Sequence, residues 1–367
     1  MELTGIIQQF AIAGGVGKIT PHGGGHINDN FLVRNNSPAH PDYLLQRVNH
    51  HVFRDVELLM NNMTRVTGHI AGQLGHLSPE ERYRRSLEII PTKGGKPFFK
   101  DSDGCYWRIL NFIPDHVVYD STDDQEVARE GARMFGEFIR MLSSLSPAEI
   151  GDSIPRFHDI RWRLSGLEKS ISKDTGGRCR LVKEELRYIG SKTGLVTTIQ
   201  RLGDKGAIPL RVTHNDTKIN NVLFDREKKG LCVVDLDTVM PGYVHYDFGD
   251  GIRTFTNTGL EDDPELENVQ MDLDLYGAFA AGFLEATREI LTPTEIDTLV
   301  YAGVLFPFIM GVRFLTDYLD GDIYYKTDHG EHNLQRARAQ FKLAMDAEAK
   351  MEPAGAIIRK LVPTGER

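Results

Sequence analysis

The feature that most constrains this chain is a polar loop held between two short apolar strands, in the segment RVTHNDTKINNVLFD at residues 211–225. The loop contains His214, Asp216, Lys218 and Asn221 within eight residues. An aspartate can accept or orient a hydroxyl proton, a lysine can neutralise phosphoryl oxygens, and an amide oxygen can bind Mg²⁺. Phosphoryl transfer needs these groups in this arrangement, so the loop is predicted to be a catalytic loop.

A further apolar strand, residues 231–234, follows these two strands and ends at Asp235 and Asp237. Asp235 stands fourteen residues after Asn221, which suits a hairpin that returns the chain to the loop. Mg²⁺ takes a few carboxylate or carbonyl oxygens together with substrate phosphates. Single Asp or Asn residues in loops usually cap turns, but the whole pattern of His, Asp, Lys, Asn and the following acidic pair favours catalysis.

The rest of the chain divides into two predicted lobes near residue 114. Residues 1–113 alternate short strand-like runs with turns: one hairpin closes at residues 23–25 and a second turns at Asp103-Gly104. A helix is predicted between them, from Asp55 to about Gly75. Residues 114–367 are predicted to be mostly helical, with a helix over 124–145, strands around 210–240 and one amphipathic helix from about Glu331. The fold class is therefore α+β and bilobal.

Composition excludes several classes of protein. A formal net charge of −9 disfavours a nucleic-acid partner. The longest apolar stretch, residues 300–312, is shorter than the roughly 20 residues of a membrane span and is predicted to be a buried helix. The N-terminal residues show no export signal, and the three cysteines show no CxxC spacing. We expect a cytoplasmic protein without a membrane partner, either a monomer or a small homo-oligomer.

On these motifs the chain resembles the aminoglycoside phosphotransferase and choline kinase group of the kinase-like superfamily. Over nearly its whole length it is similar to the N-acetylhexosamine 1-kinases, through segments such as RVTHNDTKINN, DLDTVMPG, DFGDGIR, MGVRFLTDYLDGDIYY and EHNLQRARAQ. The resemblance implies a protein-kinase-like bilobal fold and the use of ATP and Mg²⁺. It also implies phosphorylation of an N-acetylated hexosamine at its 1-position.

The resemblance also implies residue roles. Asp216 would be the catalytic base and Lys218 would contact the transferred phosphate. The remaining assignments are Asn221, Asp235 and Asp237 for the metal, His26, Asn28, Arg313 and Tyr324 for the sugar, and Gly24, Gly25, Arg47, Asn111 and Ile113 for the nucleotide. Asp247, in a DFG triplet that is the metal motif of protein kinases, lies too far from Asn221 and is predicted to start a helix and tie the loop down.

Three questions stay open at the level of the sequence. The third strand, YLLQRV, lacks the lysine that protein kinases place there, so either Arg47 supplies the charge or Gln46 occupies the position. Arg313 lies in an apolar helix and needs either a polar cavity or an ion pair with a carboxylate such as Asp317. Acceptors such as an aminoglycoside, choline or a hexose are the alternatives to an N-acetylhexosamine, although neither tryptophan lies where a choline cage would be.

Overall fold

The computed structural model describes residues 2–23 and 27–362 of the chain. Its N-terminal part contains one antiparallel sheet with strand order β1-β2-β3-β6-β4, and β5 also pairs with β6. Its strands are β1 (Val16–Pro21), β2 (Asp29–Asn35), β3 (Tyr43–Val48), β4 (Ile89–Ile90), β5 (Phe99–Lys100) and β6 (Tyr106–Asn111). Three helices accompany the sheet: α1 (Leu3–Ile7), α2 (Val56–Gln73) and α3 (Pro79–Arg85).

Local sequence signals predicted much of this part. The first two strands pair as a hairpin, and β5 and β6 pair across the turn at Asp103-Gly104, as predicted. Helix α2 begins after Asp55, whose carboxylate accepts a hydrogen bond from the Leu58 backbone N–H at 2.9 Å. Its buried stripe packs into the main core through Leu59 and Met63.

The two faces of the sheet belong to different clusters. The outer face packs against α1 and forms a separate core of Ile6, Ile7, Phe10, Val33, Tyr43, Leu45, Trp107 and Ile109. The inner face contributes Val48 and Leu110 to the main core, which also includes α2 and continues into the rest of the chain. Because strand residues alternate between faces, neighbours such as Gln46 and Arg47 point to opposite sides.

The remainder is mostly helical, as predicted. Its helices are α4 (Gln125–Met141), α5 (Ile160–Lys173), α6 (Lys183–Val196), α7 (Thr198–Asp204), α8 (Val244–Phe255), α9 (Leu273–Thr287), α10 (Pro293–Thr298), α11 (Ala302–Asp320), α12 (His332–Ala349) and α13 (Met351–Leu361). Two short antiparallel strand pairs interrupt them: β7 (Arg211–Thr213) with β10 (Met240–Gly242), and β8 (Val222–Phe224) with β9 (Gly230–Val233). The single helix predicted from Glu331 onward is two helices, which meet at Lys350.

Helix α11 contains the longest apolar stretch of the chain. The region Pro293–Asp320 is long and apolar enough to cross a membrane, but 78% of its most apolar window is buried inside the protein. Its residues pack against α5, α8 and α12. The helix therefore serves as a core helix in this fold, as its sequence predicted.

Helices α4 and α9 approach each other closely at a glycine. A Cβ atom added to Gly282 would lie 1.9 Å from the backbone oxygen of Arg129. Gly277, five residues earlier on the same helix, would meet only a methyl group of Ile357 at 3.9 Å. The close spacing of α4 and α9 thus requires glycine at position 282, whereas position 277 has room for a larger residue.

We expect Gly282→Ala to lower the free energy of unfolding by about 1–3 kcal/mol, because overpacking forces the helix backbones apart. The matched variant Gly277→Ala should leave stability unchanged or raise it by up to about 1 kcal/mol, since alanine is the better helix former. Urea unfolding of both variants measures the difference. Equal stability of the two variants would contradict the close approach.

Candidate active site

The catalytic loop starts with a residue in the left-handed backbone region. Asn215 follows β7 with φ of 63°, a conformation that asparagine tolerates better than most residues. Its Nδ2 atom donates to the backbone oxygens of Thr213 and Thr238 at 3.1 Å and to that of Met240 at 3.2 Å. These bonds fix the turn at which the chain leaves the strand, and Asp216 follows immediately.

A buried carboxylate holds the same turn from below. Asp247, in the first turn of α8, is fully buried and accepts hydrogen bonds from the backbone N–H groups of His214 at 2.8 Å and Asn215 at 2.7 Å. Burial raises the pKa of Asp247 to about 7, although both backbone donors act in the opposite direction. The Thr217 hydroxyl also donates to the backbone oxygen of Asp247 at 2.6 Å. Asp247 thus ties the loop down, in agreement with the sequence-based interpretation.

The side chains of Lys218 and Asn221 both contact the carboxylate of Asp216. The Lys218 ammonium lies 3.0 Å from Asp216 Oδ1, and Asn221 Nδ2 donates to Asp216 Oδ2 at 3.1 Å. Burial opposes ionisation, yet the Lys218 charge holds the pKa of the Asp216 carboxyl below its usual value. The Asp216 side chain remains 21% exposed. The Asp216 carboxylate is therefore ionised, partly accessible to solvent and held in a fixed orientation.

The β8–β9 hairpin returns the chain to this loop, as its length predicted. The Val234 N–H donates to the Asn221 backbone oxygen at 2.9 Å, so the exposed Asp235 follows directly beside Asn221. Although Asp235 is accessible to solvent as a residue, many protein atoms surround its carboxyl group, and this desolvation, together with the carboxylates of Asp237 and Asp216, raises the pKa of Asp235 to about 7. In the described part of the chain, no group of three His, Cys, Asp or Glu side chains could hold a metal ion. Asn221 and Asp235 nevertheless carry an amide and a carboxylate oxygen on two segments that this backbone bond brings together, and Mg²⁺ accepts both donor types.

Asp237, the third predicted metal ligand, is used differently. It is buried, and its two carboxylate oxygens accept hydrogen bonds from two side chains of the N-terminal sheet region. Arg108 donates to Oδ1, and Asn28 Nδ2 donates to Oδ2 at 2.6 Å. Asn28 also accepts from the Asn49 N–H at 2.9 Å. The structure thus gives Asp237 a counter-ion and two hydrogen-bond donors. Metal binding by Asp237 and sugar binding by Asn28 remain predictions.

The contacts of Arg47 show its position in the sheet, and its predicted contact with the nucleotide remains a prediction. Its side chain lies on the outer face of the sheet, is about half exposed, pairs with Asp29 and stacks over the Trp107 ring at 5.9 Å. Gln46 is the third-strand residue on the inner face, and it contacts Arg108. Sequence alone could not separate these alternatives, because the facing of β3 depends on its neighbours in the sheet.

The predicted nucleotide residues Asn111 and Ile113 lie where the sheet passes into the helical part. The buried Asn111 side chain accepts from the Glu88 N–H at 2.7 Å and donates to two backbone oxygens in the α3 region, those of Tyr83 and Ser86. Ile113 is also buried. The side chain of Asn111 therefore organises this connection, and nucleotide contact at the two positions remains a prediction. Gly24, Gly25 and His26 lie outside the described residues.

Arg313 points toward aromatic rings and not toward Asp317. Its guanidinium lies 5.1 Å from the centre of the Phe157 ring and 5.7 Å from that of Tyr325. Asp317 instead accepts hydrogen bonds from the backbone N–H groups of residues 323–325 and from the Asn333 side chain. The ion pair considered from the sequence is therefore not formed. The predicted sugar ligand Tyr324 is 60% exposed and lies edge-on to Tyr325.

Two residues that the sequence analysis did not select connect Arg313 to the catalytic loop. His158 is buried and bonds through Nε2 to the Asn215 backbone oxygen at 2.9 Å, while its ring lies 4.2 Å from that of Phe157. Arg163 donates to the Phe157 backbone oxygen at 2.8 Å. Burial, together with the charge of Arg313, lowers the pKa of Arg163 to about 10. The guanidinium groups of Arg163 and Arg313 therefore both lie beside Phe157, near the loop. No local sequence motif indicated that these two residues come together.

A charged network in α8 completes the surroundings of Asp216. Arg253 is buried and pairs with Asp250 and with Glu261, each at 2.8 Å. Lys218 and Asp216 both interact electrostatically with members of this network. Their spacing in the sequence could have predicted this ion pair, because Asp250 and Arg253 stand one helical turn apart in DFGDGIR.

An antiparallel sheet with a helical remainder, and a loop that joins a carboxylate, a cation and an amide, are the features of a small-molecule phosphotransferase with a kinase-like fold. A model of the phosphotransferase enzyme family matches residues 18–286, well over half of the chain. The protein belongs to this family.

Solved structures support the same fold at low sequence identity. An aminoglycoside phosphotransferase from Alicyclobacillus acidocaldarius subsp. acidocaldarius DSM 446 is similar with a TM-score of 0.63 and 14% identity, covering 98% of this chain and 97% of that one. A microcompartment-associated aminopropanol kinase has a TM-score of 0.58 and 13% identity over 96% and 97%. A spectinomycin phosphotransferase in complex with ADP and spectinomycin has a TM-score of 0.54 and 13% identity over 95% and 97%.

We expect Asp247→Ala to lower the free energy of unfolding by about 3 kcal/mol, because it leaves two buried backbone N–H groups without acceptors. Asp235→Ala should change stability by less than about 0.5 kcal/mol, because that side chain is exposed and lies near other carboxylates. Urea denaturation followed by circular dichroism measures both. A larger loss for Asp235→Ala than for Asp247→Ala would reverse the two roles.

Proposed function

We propose that the protein transfers the γ-phosphoryl group of ATP, with Mg²⁺, to the anomeric hydroxyl of an N-acetylated hexosamine such as GlcNAc or GalNAc. The observation that carries the choice of acceptor is the pair of guanidinium groups, Arg163 and Arg313, beside the catalytic loop. The 1-position and the N-acetyl group rest on the sequence resemblance to N-acetylhexosamine 1-kinases.

Asp216 would accept the hydrogen bond of the attacking sugar hydroxyl. A base for this purpose must be ionised and correctly oriented. The Lys218 charge keeps the carboxylate ionised, and the Asn221 amide fixes its orientation from the other side. Lys218 is also placed to contact the transferred phosphoryl group, because its side chain is 41% exposed on the same side of the loop.

Asn221 and Asp235 would hold Mg²⁺ together with phosphate oxygens of the nucleotide. When bound, the cation would neutralise negative charge on those oxygens. The neighbouring carboxylates that raise the pKa of Asp235 repel one another, and this repulsion favours a divalent cation at this place. The β8–β9 hairpin holds the two ligands in register.

The acceptor region disfavours a cationic substrate. Two positive guanidinium groups lie beside Phe157, and Arg313 faces aromatic rings where a carboxylate partner would otherwise be expected. A second cation bound between them would be repelled, whereas sugar hydroxyls and an acetamide oxygen can accept their hydrogen bonds. This argues against choline, aminopropanol or an aminoglycoside as the acceptor and in favour of a neutral sugar. The exposed Tyr324 ring at this region could cover one face of the sugar.

A product-resolved kinase assay tests the proposal. The purified protein with Mg·ATP is offered N-acetylated hexosamines, unmodified hexoses, choline and an aminoglycoside, and phosphorus NMR identifies the modified hydroxyl. We expect turnover with an N-acetylhexosamine and a phosphate on C1. Faster turnover with a cationic acceptor, or a phosphate on the 6-hydroxyl, would refute the proposed substrate while leaving the phosphotransferase class intact.

We expect Asp216→Asn to fold normally and to lose about 10²- to 10⁴-fold in turnover, the usual contribution of a general base. The amide keeps the shape of the side chain but cannot accept a proton. Steady-state kinetics with the best acceptor measures the loss, and circular dichroism verifies the fold. A folded variant within a few-fold of wild type would remove Asp216 from this role.

We expect Arg313→Leu to raise the Michaelis constant for the sugar or to lower turnover by about tenfold or more, because a buried substrate oxygen loses its donor. The Michaelis constant for ATP should change little. Arg161→Leu is the matched control, because this exposed arginine of α5 pairs with Asp204 on the surface. Sugar parameters that do not change in Arg313→Leu, or that change equally in the control, would exclude the contact.

A further inference from the structure

Three polar side chains form a row across the inner face of the N-terminal sheet. Asn30 on β2, Gln46 on β3 and Arg108 on β6 are aligned by the strand register. Gln46 Nε2 donates to Asn30 Oδ1 at 2.8 Å, and Arg108 Nε donates to Gln46 Oε1 at 2.8 Å. The row ends in the ion pair between Arg108 and Asp237, which crosses from the sheet to the segment after β9.

This ion pair is almost completely removed from solvent. The Arg108 side chain is 1% exposed and that of Asp237 is 3% exposed. The guanidinium also contacts the sulfur atom of Met63 on α2 at 3.3 Å. A guanidinium cannot shed its charge, and the desolvation of a buried pair can cancel its attraction. Stability alone is therefore a poor reason for a charge at this position.

A cation on this face is what the triphosphate of a nucleotide requires. Protein kinases supply it from a lysine on the third strand. The inner-face residue of the third strand here is the neutral Gln46, and Arg47 points away on the outer face. Arg108 comes from the strand next to β3, and through its bond with Gln46 its charge lies beside the position where that lysine would be.

We propose that Arg108 is the residue that binds the nucleotide phosphates from the N-terminal sheet, in place of a third-strand lysine. Asp237 is its counter-ion, and Gln46 and Asn30 are positioning residues that fix the guanidinium on the inner face of the sheet. This inference rests on the proposed function only in that the phosphoryl donor is a nucleoside triphosphate. It does not depend on which acceptor the enzyme uses.

The test measures nucleotide binding without an acceptor, by isothermal titration of Mg·ADP and of a non-hydrolysable ATP analogue. Arg108→Met should weaken binding by about tenfold or more, the value of a lost charge-assisted hydrogen bond. Arg47→Met, on the outer face at the neighbouring position, should leave the dissociation constant within about twofold, since Arg47 pairs with a surface carboxylate. An Arg108→Met variant that is folded and binds as tightly as wild type would overturn the proposal.

The second part of the test moves the positive charge from β6 to β3. Adding Gln46→Lys to Arg108→Met returns a cation to the inner face from the third strand, and we expect it to recover most of the lost nucleotide affinity. A purely structural role of Arg108 predicts no such recovery of affinity from a lysine on another strand, so absence of recovery in a folded double variant counts against the proposal.

Should Arg108→Met lose its fold because Asp237 is left without a counter-ion, Arg108→Lys decides the question. Lysine keeps the charge for Asp237 but cannot bind two phosphate oxygens as a guanidinium does, so we expect affinity to fall by about threefold or more. Unchanged affinity overturns the proposal. Failure of the proposed function looks different: the wild type would bind no nucleotide at all, or would bind it and phosphorylate another acceptor.

Discussion

The rest of the site depends on the buried carboxylate of Asp247. Its carboxylate accepts hydrogen bonds from the backbone N–H groups of His214 and Asn215 and so fixes the turn that follows β7. The left-handed conformation of Asn215 then sets the direction of Asp216. Backbone groups buried without partners cost free energy, so the loop has few alternative conformations once α8 is in place. The proposed base, Asp216, is therefore positioned by contacts of the loop with helix α8, before any substrate binds.

The second constraint is the contact between the N-terminal sheet and the segment after β9. Arg108 and Asn28 both donate to Asp237, so one carboxylate joins the inner face of the sheet to the end of the hairpin that carries Asp235. A movement of the sheet relative to the helical part would disturb this carboxylate and with it the proposed metal ligands. If Arg108 binds the nucleotide phosphates as proposed, these buried polar bonds would connect nucleotide binding to the geometry of the catalytic loop.

The acceptor region shows how one fold can serve different substrates. The similar solved structures include kinases named for choline, aminopropanol and aminoglycosides, and likeness at this level of identity concerns the fold alone. In this chain α5 and α11 bring Arg163 and Arg313 to the neighbourhood of Phe157, and Asp317 is occupied in holding the backbone of residues 323–325. In the proposed function, these two guanidinium groups would disfavour a cationic acceptor relative to a neutral sugar.

The sequence by itself determined the local elements and the loop. Apolar periodicity marked α2 and α4, and turn residues marked the hairpins. The spacing of Asp216, Lys218, Asn221 and Asp235 marked the catalytic loop. All of these signals lie within short windows of the chain. Only the tertiary structure decided that Gln46 lies on the inner face of β3 and Arg47 on the outer face. It alone paired Arg108 with Asp237 across 129 residues of sequence and brought Arg163 to Arg313. Such pairings depend on strand order and helix packing, which the periodicity of a single segment does not encode.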